Sequence, residues 1–162
     1  MKSNNDKFVL FWRGPFSQWY PSEFKVDGIS YNCAEQYMMA EKAKLFGDNK
    51  IRKQIMKTNS PREQKALGRK VSNFDAGKWN SVARDIVYKG NLAKFSQNKD
   101  LQKELLTTED KTLVEASPYD KIWGIGLAAD DPNATRPENW KGTNWLGEVL
   151  MRVRDELRKE TK

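Results

Sequence analysis

The stretch YNCAEQYMMAEKAKLF, residues 31–46, predicts an α-helix. It is rich in Ala, Met, Glu, Lys and Leu, which favour helices, and it contains neither Gly nor Pro. Asn32 is a suitable N-cap, and Glu35 three residues later completes the pattern of a capping box. Apolar residues recur along the stretch, so we expect part of this helix to pack against the protein.

One face of the predicted helix carries an acid, an apolar residue and an amine. Glu35, Met39 and Lys42 lie at positions i, i+4 and i+7, within about 40° of one another at roughly 100° per residue. Burial of charged side chains costs free energy, so the burial of an acid and an amine on one face would usually have a reason.

The length of 162 residues is sufficient to bury a core, and it predicts one domain over residues 1–162 with a polar, frayed start at residues 1–7. The single Cys33 has no partner for an internal disulfide, and we interpret it as a structural residue. The sequence shows no signal-peptide pattern and no apolar run of about 18 residues. We therefore expect a cytoplasmic protein without a membrane partner.

Charge and histidine content restrict the chemistry. The net charge of +7 favours an anionic partner such as a phosphorylated metabolite, a nucleotide or a nucleic acid. With no His and one Cys, the chain has neither the ligands of a tetrahedral zinc site nor a histidine base. Acid–base chemistry must then come from carboxylates, lysine, tyrosine or the substrate, and we expect no metal or cofactor.

Apolar periodicity and turn residues predict an α+β fold that is predominantly helical, with about six or seven helices around a small antiparallel or mixed sheet. Alternating apolar residues flank Asp27 and Gly28, which suit a type I′ hairpin turn, and Phe24, Val26, Ile29 and Tyr31 are expected on one face. The hairpin and strands at residues 8–12 and 112–116 would form the sheet. Further helices are predicted over residues 49–56, 61–68, 99–106 and 144–160. The longest is predicted to begin at Asp75 or Asn80, to reach Phe95, and to be interrupted or bent near Gly90 and Asn91.

Short motifs along the chain resemble those of the NADAR, or YbiA-like, family. They are GPFSQW at 14–19, FKVDG at 24–28, AEQY at 34–37 with Lys42, Gly68 with Arg69, Trp79, Lys94 with Phe95, LVE at 113–115, Asp120 with Trp123 and Gly124, and NWLGEVLM at 144–151. Each motif is loose by itself, but their order and spacing over residues 8–157 make the resemblance specific.

The resemblance implies N-glycosidase chemistry. Some members of the family cleave the ribosylamino bond of early riboflavin-pathway intermediates, and others remove ADP-ribose from guanine in DNA or RNA. Both reactions break a bond between the anomeric carbon of ribose and a nitrogen, on an anionic substrate. Gln36 and Met39 differ from the residues that many relatives carry there, which leaves the choice of substrate open.

The resemblance also implies the site. Glu35, Lys42 and Asp120 correspond to the catalytic residues, although which is acid, base or nucleophile is left open. The expected substrate-binding residues are Arg13, Phe16, Ser17, Arg69, Trp79, Trp123, Gly124 and Asn144. Arg69 and then Arg13 are the candidates for phosphate, which would belong to a phosphorylated or ADP-linked ribose.

Two mechanisms suit these residue types. Cleavage of an N-riboside develops oxocarbenium character on the sugar, which the carboxylate of Glu35 or Asp120 could stabilise. Alternatively, an amino-linked riboside opens to an imine, and Lys42 exchanges onto the anomeric carbon as a Schiff base. The second route requires a partly neutral lysine, which burial or neighbouring cations favour and a close ion pair with Glu35 opposes.

Every candidate also has a structural alternative. Glu35 could only cap its helix, Lys42 could be solvated, and Asp120 could only cap a turn. Trp79 and Trp123 could belong to the core, Asn144 could be an N-cap, and Arg69 could only complement a helix dipole. For the whole protein, the alternative to an enzyme is a non-catalytic module that binds ADP-ribose or nucleic acid. The sequence does not determine the oligomeric state.

Overall fold

The computed structural model describes residues 4–160, and their fold is α+β and predominantly helical, as predicted. In chain order the strands are β1 (Phe8–Phe11), β2 (Phe24–Val26), β3 (Ile29–Tyr31) and β4 (Thr112–Glu115). The α-helices of the described residues are α1 (Ala34–Leu45), α2 (Asn49–Lys57), α3 (Pro61–Gly68), α4 (Ala76–Gln97), α5 (Lys99–Leu106) and α6 (Trp145–Glu160). No helix within residues 4–160 is long and apolar enough to cross a membrane.

The chain divides into two compact units. One contains the described residues up to Ser17 together with those from Lys99 onward, and the other contains residues Gln18–Asn98. The first unit therefore holds β1, β4, α5 and α6, and the second holds the β2–β3 hairpin and helices α1 to α4. Of the segment predicted to be frayed, residues 1–3 lie outside the described part, and Asn4–Lys7 form a short 3₁₀-helix instead.

The predicted sheet is two separate two-stranded sheets in the described residues. β1 pairs with β4 in parallel, from Phe8 opposite Thr112 to Phe11 opposite Glu115. β2 and β3 form the antiparallel hairpin, in which Asp27 and Gly28 have φ angles of 52° and 81°, as a type I′ turn requires. The turn was predicted correctly because it depends only on the φ preferences of Asp27 and Gly28. Which strands pair with each other depends instead on residues far apart in the sequence.

The four apolar residues of the hairpin share one face, as predicted, because Phe24 pairs with Tyr31 and Val26 pairs with Ile29. Phe24, Val26 and Tyr31 are buried, but Ile29 is exposed. Ile29 pairs with Val26 directly beside the turn, at the end of a strand of only three residues. Solvent reaches the side chain there, so the shared face is buried except at its end beside the turn.

The start of α1 differs from the predicted capping box. The N-cap is Cys33, with no side-chain cap bond, rather than Asn32. The amide of Asn32 is used elsewhere, since its Nδ2 donates to the carbonyl oxygen of Thr58 and its Oδ1 accepts from Gln64 Nε2. Gln36, not Glu35, reaches back to accept a hydrogen bond from the backbone N–H of Asn32 at 2.8 Å. Gln36 therefore takes the place in the capping arrangement that was predicted for Glu35.

Helix α4 is continuous over 22 residues, so it is not interrupted near Gly90 and Asn91. Asp75 rather than Asn80 is its N-cap, and the Asp75 side chain accepts a hydrogen bond from Lys78 N. Gly90 instead allows close packing, because a Cβ built there would lie 2.5 Å from Cδ2 of Tyr37 on α1. The glycine thus sets the approach of α4 to α1, the helix that carries Glu35 and Lys42.

The first unit has its own buried cluster. Val114 of β4 packs with Ile125, Leu127 and Ala134, and partly buried side chains of β1 cover them. The loop that joins β4 to α6 contains two short 3₁₀-helices, Pro132–Thr135 and Pro137–Asn139. Helix α6 buries the apolar stripe expected from its 3.6-residue period.

Candidate active site

Helix α1 places an acid and an amine in the second unit, as its sequence period predicts. Glu35 lies in the first turn and is only 4% exposed, and Lys42 lies in the last part of the helix and is half-buried. The expectation that this polar face is drawn against the protein is confirmed. The alternative of a fully solvated Lys42 is wrong.

The carboxylate of Glu35 is oriented by the loop that precedes the hairpin. Its Oε1 accepts a hydrogen bond of 3.0 Å from Nε1 of Trp19, whose side chain is partly exposed. The backbone N–H of Glu35 donates to the carbonyl oxygen of Gln18 at 2.9 Å. Gln18 and Trp19, two successive residues of this loop, therefore anchor the first turn of α1, and Trp19 orients the carboxylate of Glu35.

The amine of Lys42 lies among aromatic rings. Its Nζ is 4.6 Å from the ring centroid of Phe74 and 6.0 Å from that of Trp79. Burial lowers the pKa of Lys42, the negative charge of Glu35 raises it, and the positive charge of Arg69 lowers it. Since the largest of these effects is burial, more of the amine is neutral near physiological pH than for a lysine in water.

The second unit thus brings together the predicted residues Glu35, Lys42, Arg69 and Trp79. Arg69 follows the end of α3 and is exposed, so its guanidinium is accessible to an anion. Trp79 lies in the first turn of α4 and is 8% exposed, so nearly all of its surface is covered by the protein. The arrangement is an acid and a basic amine bordered by aromatic rings and a cation.

The remaining predicted residues belong to the first unit, where Asp120 has a clear structural role. Its Oδ1 accepts hydrogen bonds of 2.9 Å from the backbone N–H groups of Ile122 and Trp123. This is the turn-capping alternative that the sequence left open. The ring of Trp123 packs edge-on against Trp145 at 5.6 Å.

Two further predicted residues hold the backbone of the first unit. Asn144 is buried and has φ 54°, and its Oδ1 accepts from Glu115 N while its Nδ2 donates to the carbonyl oxygen of Leu113. Its amide therefore ties the start of α6 to β4. A Cβ built on Gly124 would lie 2.9 Å from the backbone oxygens of Asp120 and Glu115, so this glycine is required for close packing.

The loop after β1 carries Arg13, Phe16 and Ser17. The guanidinium of Arg13 lies 5.4 Å from the ring centroid of Trp12, and both side chains are exposed. Phe16 is buried edge-on against Phe11 at 5.7 Å. Ser17 is buried, and its backbone N–H closes a turn on the Gly14 carbonyl oxygen. Of these three residues only Arg13 is exposed, so its guanidinium is accessible to an anion.

A family model for the NADAR domain matches residues 10–158, nearly the whole chain. The chain belongs to the NADAR family.

Several proteins that are similar in sequence to this chain are named as N-glycosidases. N-glycosidase R617 of Acanthamoeba polyphaga mimivirus is 53% identical over 147 residues, which cover 87% of this chain and 86% of the relative. N-glycosidase YbiA of Shigella flexneri is 35% identical over 144 residues, which cover 89% of this chain and 81% of the relative. The NMR structure of YbiA from E. coli superposes with a TM-score of 0.79 at 32% identity, covering 96% of this chain and 88% of the other. This NADAR chain is therefore an enzyme of the N-glycosidase type.

Phe74 was not predicted to belong to the site, and the second unit also contains a fully buried lysine, Lys94. Phe74 precedes α4 and borders Lys42. Lys94 of α4 is 0% exposed, with its Nζ 4.9 Å from the ring centroid of Phe95 and 5.8 Å from that of Tyr20. The sequence indicated Lys94 only as part of a family motif, and it offered no signal for Phe74, since an isolated aromatic residue before a helix is usually part of a core.

Burial of Lys94 predicts a pH-dependent stability. Burial lowers the pKa of Lys94 from 10.5 to about 7. Between these values the unfolded chain holds a proton that the folded protein lacks, so this group makes the free energy of unfolding increase as the pH rises from about 7 towards 10.5. We expect Lys94→Met to reduce this increase, measured as urea midpoints at several pH values from 7 to 10. Lys53→Met, at an exposed position of α2, is the matched control. An unchanged pH dependence in Lys94→Met would contradict the prediction.

Proposed function

We propose that this NADAR chain hydrolyses the bond between ribose and nitrogen in a phosphorylated ribosylamino pyrimidine or in ADP-ribosylated guanine. The observation that carries the proposal is the half-buried amine of Lys42, which lies beside aromatic rings and within the electrostatic reach of Glu35 and Arg69. Acid, amine and cation are the groups that such a reaction needs.

Glu35 would stabilise the sugar as the bond breaks. The departing nitrogen leaves positive charge on the anomeric carbon and the ring oxygen, and a carboxylate oriented beforehand favours that charge. Its hydrogen bond from Trp19 Nε1 supplies this orientation. Because the carboxylate is nearly inaccessible to water, its charge acts in a medium of low dielectric, where electrostatic interactions are stronger.

Lys42 would act as the nucleophile when the riboside is amino-linked. The sugar ring opens to an imine between C1 and the exocyclic nitrogen, and the neutral amine of Lys42 adds to C1. The exocyclic nitrogen takes a proton and leaves as the free amine of the base, so that C1 is joined to Nζ as a Schiff base. Water then adds to C1, releasing the aldehyde form of the sugar and restoring the amine. The lowered pKa of Lys42 supports this route because only the neutral amine can attack.

The charge of the chain suits an anionic substrate. The exposed guanidinium of Arg69 is close enough to Lys42 to lower its pKa, so a phosphate bound by Arg69 would lie near the amine. Arg13, exposed in the first unit, remains a second candidate for phosphate.

The test is incubation of the wild-type protein with each substrate class separately. One reaction contains a phosphorylated ribosylamino pyrimidine and the other an oligonucleotide with ADP-ribosylated guanine, with the released base and sugar identified by mass spectrometry. We expect release from one of the two, well above the enzyme-free rate. Binding of both without release would instead support the non-catalytic module. A steep decrease of oligonucleotide binding with added salt would favour nucleic acid as the natural substrate.

A further inference from the structure

Phe74 is the most accessible aromatic residue around Lys42. Its side chain is 47% exposed, whereas Trp79 is nearly buried. Lys42 Nζ lies 4.6 Å from the Phe74 centroid, closer than to the Trp79 ring. A phenyl ring that is about half exposed to water therefore lies beside the amine of Lys42.

A second ring supports Phe74. Phe46, immediately after α1, meets it edge-to-face with ring centroids 5.4 Å apart and an interplanar angle of 61°. The Nζ of Lys78 lies 5.8 Å from the Phe46 centroid. The side chain of Phe74 is therefore held by packing while a large part of its surface stays open.

The backbone that carries Phe74 is also held in place. Asn73 has φ 60°, a left-handed conformation that a non-glycine residue keeps only where its surroundings impose it. On one side, the N–H and Oγ of Ser72 both donate to Oδ2 of Asp48, at 2.9 and 3.0 Å. On the other side, Asp75 caps α4 by accepting from Lys78 N at 3.1 Å. The turn at residues 72–75 is thus ordered before any ligand binds.

We propose that Phe74 is the surface on which the heterocyclic base of the substrate stacks, so that it determines base binding in the site of Lys42. This inference rests on the proposed function, because it is the base that leaves when the ribose–nitrogen bond breaks. Every nucleobase and pyrimidine has a π face that stacks on an aromatic ring. A base held on Phe74 would bring its bond to ribose near the amine of Lys42 and the carboxylate of Glu35.

A different role for Phe74 makes a different prediction. If the ring only stabilised the ammonium form of Lys42 by a cation–π interaction, its loss would lower the pKa of Lys42 and move the pH dependence of kcat. KM for the substrate would then stay unchanged. If the ring binds the base, KM rises and the pH dependence of kcat changes little.

The experiment compares wild type with Phe74→Leu and Phe74→Tyr. For the substrate that wild type cleaves, we expect Phe74→Leu to raise KM about tenfold with kcat nearly unchanged. Phe74→Tyr keeps an aromatic ring, so we expect it to keep the wild-type KM. Tyr119→Leu, at an aromatic residue of the first unit that is 83% exposed, is the control and should behave as wild type. Unchanged KM in Phe74→Leu, or a shifted pH dependence without a change in KM, would overturn the inference.

A binding measurement separates this inference from the proposed function. Isothermal titration of the same variants uses guanosine 5′-monophosphate, which has a base, and ribose 5-phosphate, which has none. We expect Phe74→Leu to weaken binding of the nucleotide about tenfold and to leave binding of the sugar phosphate unchanged. This result would stand even if wild type released no base, which would contradict only the proposed function. Equal loss for both ligands, or no binding of the nucleotide by wild type, would contradict the stacking role.

Discussion

Replacing Lys42 by methionine is expected to slow release of the base by about 10²–10⁴-fold. Methionine has nearly the length and apolar stem of lysine, so it can fill the space beside Phe74 and Trp79 without supplying an amine. The free energy of unfolding should stay within about 1 kcal/mol of wild type, because the side chain is only half-buried. Initial rates under saturating substrate and urea denaturation measure the two effects.

Lys44 supplies the matched control. It is exposed on the same helix, and Lys44→Met should keep the wild-type rate. If the Schiff base forms, borohydride added during turnover should trap the sugar on wild type and not on Lys42→Met, detected as a mass adduct. The wild-type rate should rise with pH as Lys42 loses its proton, and this rise should lie below the range of an ordinary lysine because burial lowers the pKa. A Lys42→Met protein that releases the base at the wild-type rate would exclude lysine catalysis.

Glu35→Gln is expected to reduce kcat by about 10²–10³-fold, the range seen when one oriented electrostatic group is lost from an active site. Glutamine keeps the volume of glutamate and an oxygen that can accept from Trp19 Nε1, so the main change is loss of negative charge. The same substitution removes the charge that raises the pKa of Lys42. The rising part of the pH–rate profile should therefore move to lower pH.

Glu23→Gln, at an exposed position of the same unit, removes an equal charge and should leave rate and profile unchanged. Circular dichroism and thermal unfolding of both variants would show that the fold is retained. A Glu35→Gln protein with full activity would rule out the role of this carboxylate in stabilising the sugar. A reduced rate with an unmoved pH profile would show that Glu35 acts on the substrate and does not control Lys42.

The sequence alone determined the features that depend on neighbouring residues. Helix α1 and the turn at Asp27 and Gly28 were both predicted, because helix propensity and φ preference act within about four residues. The 3.6-residue period of a helix also predicted that Glu35 and Lys42 share one face of α1. It did not predict which residues cover that face.

Only the tertiary structure decided what each polar group contacts. At the start of α1, Gln36 and not Glu35 accepts the hydrogen bond from the backbone N–H of Asn32. The side-chain amide of Asn32 does not cap the helix, because it binds Thr58 and Gln64, which lie 26 and 32 residues away. Phe74 lies open beside Lys42 because Asp48, 24 residues away from Ser72, holds its turn. Burial, pKa and hydrogen-bond partners are properties of packed neighbours, and chain folding brings these together from positions that no local pattern connects.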